Sequence, residues 1–377
     1  MEFLNQLNPS TRTISANDLF TSVSIIHKAH LYNLTRSELL PNEIPDTMLY
    51  IANFNNDNGF VIVSADDRVG GVVAYVEHGT FYPHQMPTNT GFDLFLEGLA
   101  EYYQNVINDD SKETSPDNDR IYDPDALLER HYVIDSIHYP LMMTLWGQDY
   151  PYNILCPHDS FDNPTKTCCI ATATAQIFAY HRSPTSFRGH VFDWDAILED
   201  SVPFWYDTQI MVSQLMVDIG ELDSVKYGNE QSTGKSQYLG ICLDSMGYHH
   251  SPYDSLIIDT CINNIAQNWP VYLRGTDVVR DTDAHAWVSD GYIFRSLHMG
   301  MALPGGETQI VQTNHQKLLH CNWGWNGQYN GYFLSSAFAP SSGRKYYSNG
   351  TRSRDCNSNY SRPGRLGMYH EIYPLQQ

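Results

Sequence analysis

The chain has no C-x-x-C pair and no H-E-x-x-H or H-x-x-x-H cluster among its 16 histidines. Zinc-ribbon, thioredoxin-like and zincin readings therefore have no support, and neither a metal nor a cofactor is expected. No apolar run approaches the ~18 residues of a membrane span. The N-terminal stretch MEFLNQLNPSTRT lacks the basic and apolar regions of a signal peptide. Basic residues are scarce: 22 Lys and Arg stand against 43 Asp and Glu, a net charge of −21. A chain this acidic repels phosphates, so nucleic acid is not an expected partner. With seven cysteines, at least one thiol is unpaired within the chain.

What is present divides the chain in two. At 377 residues it is long for a single core. The first part reads as a helical stretch near 16–32. A strand-rich segment follows, MLYIANFNNDNGFVIVSADDRVGGVVAYV, with Asn56-Asp57-Asn58-Gly59 as its turn. An amphipathic helix over 90–107 comes next. The polar, acidic run NDDSKETSPDNDRIYDPDALLER then marks a linker, with a boundary between 108 and 136 and with Arg120 and Arg130 as sites open to proteolysis. Domains of 1–136 and 137–377 are thus expected. All the cysteines lie in the second. There, 209–219 and 256–267 read as helices, and 271–274, 285–294, 310–313 and 332–334 as strands. The segment 341–365 is a basic loop, with six Lys and Arg against Asp355.

The chemistry concentrates at NPTKTCCIATATAQ. With Thr167 as N-cap, Cys168 and Cys169 open a helix in which Ile170, Ala173 and Ile177 share a face. A cysteine in a first helical turn meets the positive end of the helix dipole, which favours the thiolate, a good nucleophile for acyl carbon. Two inert core thiols would give the same letters. Three further segments shift the balance. DAHAWVSDGYIF places His285 at the head of an alternating strand that turns at Asp290-Gly291. NWGWNG supplies Asn322 to orient an imidazole and Trp323 to shield it. TLWGQDYPYN supplies Gln148, whose amide can donate to an oxyanion beside the backbone N–H of Cys169.

These segments closely resemble the streptopain family of bacterial papain-clan cysteine proteases, over roughly residues 48–340. TCCIATATAQIFAYH is similar to its nucleophile helix, HAWVSDGY to its histidine strand, NWGWNG to its Asn-Trp turn, and MLYIANF with GFVIVSADDR to its propeptide strands. The resemblance implies an α+β fold: a papain-like catalytic domain, helices packed on an antiparallel sheet, behind an α+β propeptide. It implies a secreted or cell-surface (or periplasmic) endopeptidase made as a zymogen, acting on proteins and peptides through a thioacyl-enzyme and inhibited by its own propeptide. Cys169 is then the nucleophile, His285 the base, Gln148 the oxyanion donor, Asn322 and Trp323 the orienting pair, and Ser232, Thr233, Gly234 and Ala284 the substrate-binding wall. The family usually has glycine where Cys168 stands, often Gly-Gly where Asp283-Ala284 stand, and often a glycine-rich loop in place of 341–365. The alternatives are an amidase or acyltransferase on the same fold, a binding protein without turnover, and an adhesion module in residues 1–107.

Overall fold

The computed structural model describes residues 2–7, 19–27, 31, 46–66, 69–83, 90–110, 128–276, 284–302, 308–338 and 366–375. The elements of the N-terminal part are α1 (Glu2–Leu7), β1 (Phe20–His27), β2 (Thr47–Phe54), β3 (Phe60–Ser64), β4 (Val72–Val76) and α2 (Thr90–Asp110). The rest comprises β5 (Leu128–His138), α3 (Cys169–His181), β6 (Ser186–Phe187), β7 (His190–Val191), α4 (Trp194–Ile197), α5 (Tyr206–Leu222), α6 (Leu239–Ser245), β8 (Tyr248–His249), β9 (Asp254–Ser255), α7 (Ile258–Ala266), β10 (Val271–Thr276), β11 (Ala284–Ala302), β12 (Thr308–Asn322), β13 (Gly331–Leu334), β14 (Leu366–Tyr369) and β15 (Tyr373–Pro374).

One antiparallel sheet runs β1-β2-β3-β4-β13-β12-β11-β10-β14-β9, with β5 added along the far half of β11. The N-terminal strands therefore continue the sheet of the second part. They meet it where β4 pairs with β13, with Tyr75 opposite Tyr332 and Val76 opposite Gly331. At Gly331 a side chain would strike the Tyr75 carbonyl, so only glycine allows this approach. One core lies against this sheet. It joins Phe92, Phe95, Leu99 and Tyr103 of α2 to Trp287, Trp323, Phe333 and Phe338. A second core packs α3, α5 and α6 on Ala286 and Val288 of β11. Alternation along β11 thus sends Trp287 to one core and its neighbours to the other.

Three expectations need correction. The helix expected near 16–32 is a strand: Phe20–His27 pairs with β2, Val23 opposite Ala52 and Ile25 opposite Tyr50. Its β-branched run suits a pleated surface better than a helix. Asp290-Gly291 is not a turn; β11 runs through it, with a register shift between Ser289 and Gly291. That irregularity seats the Asp290 carboxylate in the interior, where it accepts from Met142 N at 2.9 Å and His320 Nδ1 at 2.5 Å. The third concerns the linker. Residues 128–138 are a strand of the main sheet, with Arg130 opposite Met299, so the part of the 108–136 window without paired backbone narrows. Arg120 and most of that window, like the basic segment 341–365 and Asp283, lie outside the described residues.

Candidate active site

Helix α3 begins one residue later than expected. Cys168, with φ −109° and ψ 147°, is the N-cap, and its carbonyl accepts the first intrahelical bond from Thr172 N at 2.9 Å. Thr167 is therefore not the cap, and its hydroxyl meets that of Thr172 at 3.3 Å. Cys169 is the first residue inside the helix. Its side chain is half-buried while Cys168 is buried. The segment ahead of the helix is tied to Gln148, because Thr167 N donates to the Gln148 carbonyl at 3.0 Å. Thr172 Oγ1 donates to the Gly147 carbonyl at 3.2 Å, fixing the same loop to the helix mouth.

His285 enters from the sheet. It pairs with Gly275 of β10 and is buried, parallel to the Trp287 ring with centroids 6.2 Å apart. Its Nε2 lies 2.8 Å from the Trp323 carbonyl. A carbonyl only accepts, so Nε2 carries the proton and Nδ1 is left to take one from a thiol. The expected orienting role of Asn322 is not what the side chain does here. Asn322 Nδ2 donates to the Thr144 carbonyl at 2.8 Å and to Gln176 Oε1 at 3.1 Å, and Oδ1 accepts from Gly324 N at 3.2 Å. Thr144 Oγ1 also donates to Gln176 Oε1, at 2.9 Å. Asn322 thus fixes the backbone turn that presents the Trp323 carbonyl, and the carbonyl holds the imidazole. The buried hub at Gln176 escaped sequence reading. Its one signal is an amide seven residues after Cys169, within a helix otherwise suited to the core.

The thiol of Cys169 is held well below the ordinary cysteine range. The largest cause is the hydrogen bond from Cys168; the hydrogen bond and charge of His285 and the backbone N–H of Ala286 add to it and outweigh burial. The same hydrogen bond, together with burial, pushes Cys168 up, so Cys168 is the thiol and Cys169 the thiolate of the pair. Cys168→Gly should leave a working enzyme, since glycine fits an extended N-cap. Without the donor the thiolate is less favoured, so the acidic limb of the pH profile of kcat/KM should move to higher pH. An unmoved limb would mean that Cys168 does not tune Cys169.

A pocket of about 90 Å³ opens beside Cys169 and His285, and all four expected wall residues, Ser232, Thr233, Gly234 and Ala284, line it. Thr233 exchanges backbone hydrogen bonds with Lys226 at 2.8 and 2.9 Å, and Ser232 Oγ donates to the Lys166 carbonyl at 2.6 Å. Ser232 is thus a strut between this wall and the segment leading to Cys169. Gly234 is required by close approach: a Cβ there would lie 2.5 Å from Asp223 Oδ2 and 3.0 Å from Ile170 Cδ1. Among the described residues no cluster of three His, Cys, Asp or Glu side chains could hold a metal, and no helix is long and apolar enough to cross a membrane.

A model of the peptidase C10 family matches residues 146–333, which contain Gln148, Cys169, His285, Asn322 and Trp323, and a model of the Spi protease inhibitor matches residues 1–103. The chain belongs to the peptidase C10 family. It is similar to streptopain of Streptococcus pyogenes, 26% identical over 360 residues, covering 80% of this chain and 77% of that one. It is also similar to the thiol protease/hemagglutinin PrtT of Porphyromonas gingivalis, 25% identical over 339 residues, or 80% of this chain and 35% of the larger relative. Among solved structures, prointerpain A of Prevotella intermedia superposes with a TM-score of 0.58 at 20% identity, covering 87% of this chain and 96% of the other. The C10 chain is thus a streptopain-like cysteine-type endopeptidase zymogen with a papain-like α+β fold and an inhibitor-type N-terminal part. The alternative of an adhesion module over 1–107 gives way to that inhibitor match.

Proposed function

We propose that this C10 peptidase cleaves peptide bonds with Cys169 as nucleophile and His285 as its base. The observation that carries the reading is the Cys169 thiol at the first position of α3, held well below its ordinary range with the His285 imidazole as one cause. The thiolate attacks the scissile carbonyl. The oxygen of the tetrahedral intermediate gathers negative charge against the backbone N–H of Cys169 and the side-chain amide of Gln148. His285, protonated at Nδ1, gives that proton to the leaving amine, and the thioacyl-enzyme forms. Water, deprotonated by the same nitrogen, then releases the acid and restores the thiolate. Trp323 acts through its carbonyl on Nε2, and Asn322 acts through the turn that carries that carbonyl. Substrates are proteins and peptides, and residues 1–103 inhibit the enzyme until they are cut away. Secretion is part of the proposal, on the strength of the streptopain relatives.

The deciding experiment alkylates the processed enzyme with limiting iodoacetamide and maps the modified thiol. Label confined to Cys169, with activity lost in proportion, supports the assignment. Label on Cys168, or full labelling of Cys169 without loss of activity, contradicts it. The oxyanion role has its own test. Gln148→Ala should lower kcat by roughly 10²–10³ with little change in KM, as expected for a donor that acts mainly in the transition state. A raised KM at constant kcat would make Gln148 a binding residue instead.

A further inference from the structure

Strand β10 carries a cation where its fold has no use for one. Leu273 packs in the core under α2, and Tyr272 in the core of α3. Next along the strand comes Arg274, opposite Ala286 and half-buried, and it lines the pocket with Cys169 and His285. Its recorded hydrogen bond is from Nη1 to Thr276 Oγ1 at 3.2 Å, two residues along the same strand. An arginine in a core-forming strand, turned into a cleft and, among the described residues, held by a neighbouring hydroxyl, is a local inconsistency of the kind that marks functional positions.

Asp223 feels the charge of Arg274 but forms no ion pair with it. Asp223 lies behind Gly234, fully buried, and no hydrogen-bond donor reaches either carboxyl oxygen at good geometry. Burial above all, with the Cys169 thiolate, pushes Asp223 up to about 7, against the Lys235 backbone N–H and the charge of Arg274. Its position behind the pocket wall at Gly234 keeps it from a substrate side chain. The pocket thus offers a guanidinium fork, with no ion-pair partner among the described residues, within a few residues' reach of the scissile bond.

We propose that Arg274 is a specificity-determining residue that selects substrates with an acidic side chain near the scissile bond. The proposal rests on the assignment of Cys169 and His285 to the cleavage site. The guanidinium fork matches a carboxylate bidentately, and in a half-buried pocket such charge-assisted bonds are stronger than on open surface. The small volume, about 90 Å³, suits Asp or Glu better than an aromatic ring. Residues 137–377 carry 15 Lys and Arg against 22 Asp and Glu, so no general attraction for acidic peptides supplies this selection, and it has to be local.

The test uses the enzyme processed from the full chain and fluorogenic peptides in which Glu, Gln, Leu and Lys are scanned through the three positions before the scissile bond. At one position Glu should exceed its isostere Gln by roughly 10- to 100-fold in kcat/KM, the effect of a charge-assisted hydrogen bond. Arg274→Met should bring that ratio near one, Arg274→Lys should keep part of it, and Arg274→Glu should turn the preference toward Lys. An enzyme that cleaves casein yet shows no Glu-over-Gln preference at any position overturns the proposal while leaving the cleavage site standing. An enzyme with no labelled, activity-linked Cys169 overturns the assignment beneath it. The parent scan alone decides the first question, so a variant that fails to fold does not shelter the idea.

Discussion

Cys169→Ala, prepared as the full chain and cut with trypsin that is then inhibited, should hydrolyse casein no faster than buffer. His285→Ala should do nearly the same. Losses on the order of 10⁵-fold are expected for each, and the double variant should be no worse than either, because nucleophile and base act as one unit. The fold should survive both changes. Cys169 is half-buried at a helix start, and its removal leaves the Gln176 hub and the hydrogen bond from Thr167 to Gln148 in place. Circular dichroism and a melting temperature within a few degrees of the parent would confirm that activity, not structure, was lost. Normal casein cleavage by either variant would refute the assignment. His285 allows a finer check. Its Nε2 is tied to the Trp323 carbonyl, so an Asn322 variant that lets that turn move should lower kcat without touching the imidazole directly.

Much of this site is legible in the letters because its chemistry depends on local pattern. A cysteine ahead of a run of small helix formers, and a histidine heading an alternating strand, announce themselves through periods of 3.6 and 2. What escaped depends on long-range pairing. Residues 16–32 carry apolar positions that fit a helix, but β2 supplies a partner edge, and pairing outweighs local propensity. Asp290-Gly291 reads as a turn because turns favour those residues; His320, 30 positions on, keeps the aspartate inside a strand instead. Asn322 reads as the partner of the histidine because an amide can orient an imidazole, yet its amide is spent on Thr144 and Gln176, 178 and 146 residues away. Arg274 is invisible for the same reason. Only the sheet shows that β10 lies beside β11 and turns that side chain toward Cys169.

The uncut chain should be latent, and cleavage between 111 and 127, with Arg120 as the favoured bond, should release at least a hundredfold more activity. Arg130 is a poorer site because it lies in a paired strand. Latency follows from what α2 covers. At Gly91 a Cβ would run into the Trp323 ring and lie 2.9 Å from His285 Cδ2, so the propeptide helix begins directly on His285, the proposed base. Phe92, Phe95, Leu99 and Tyr103 bury the next three turns. At roughly 1.5–3 kcal/mol for each large apolar side chain, they provide most of the hold. The β4–β13 pairing adds a backbone seam. An ion pair adds a polar one: His320, pulled down by burial but pushed up to about 10 by Asp290 and then Glu77, meets Glu77 Oε2 of the propeptide at 3.3 Å. Burial raises Glu77, but the charge and hydrogen bond of His320 outweigh it and hold it below its ordinary carboxylate range. The signs give the pH window. Asp290 raises His320 whether or not the propeptide is docked, so docking gains only the share due to Glu77 and loses it as pH climbs through about 10. The lowered Glu77 supports it above the ordinary carboxylate value and fails on acidification. Added in trans to the processed enzyme, the propeptide should therefore inhibit best around neutrality. Glu77→Gln should weaken it roughly tenfold, the scale of one charge-assisted hydrogen bond. Gly91→Leu should weaken it further, since neither ring beneath has room to move aside. Full activity from an intact, uncut chain, or undiminished inhibition by the Gly91→Leu propeptide, would show that latency resides elsewhere.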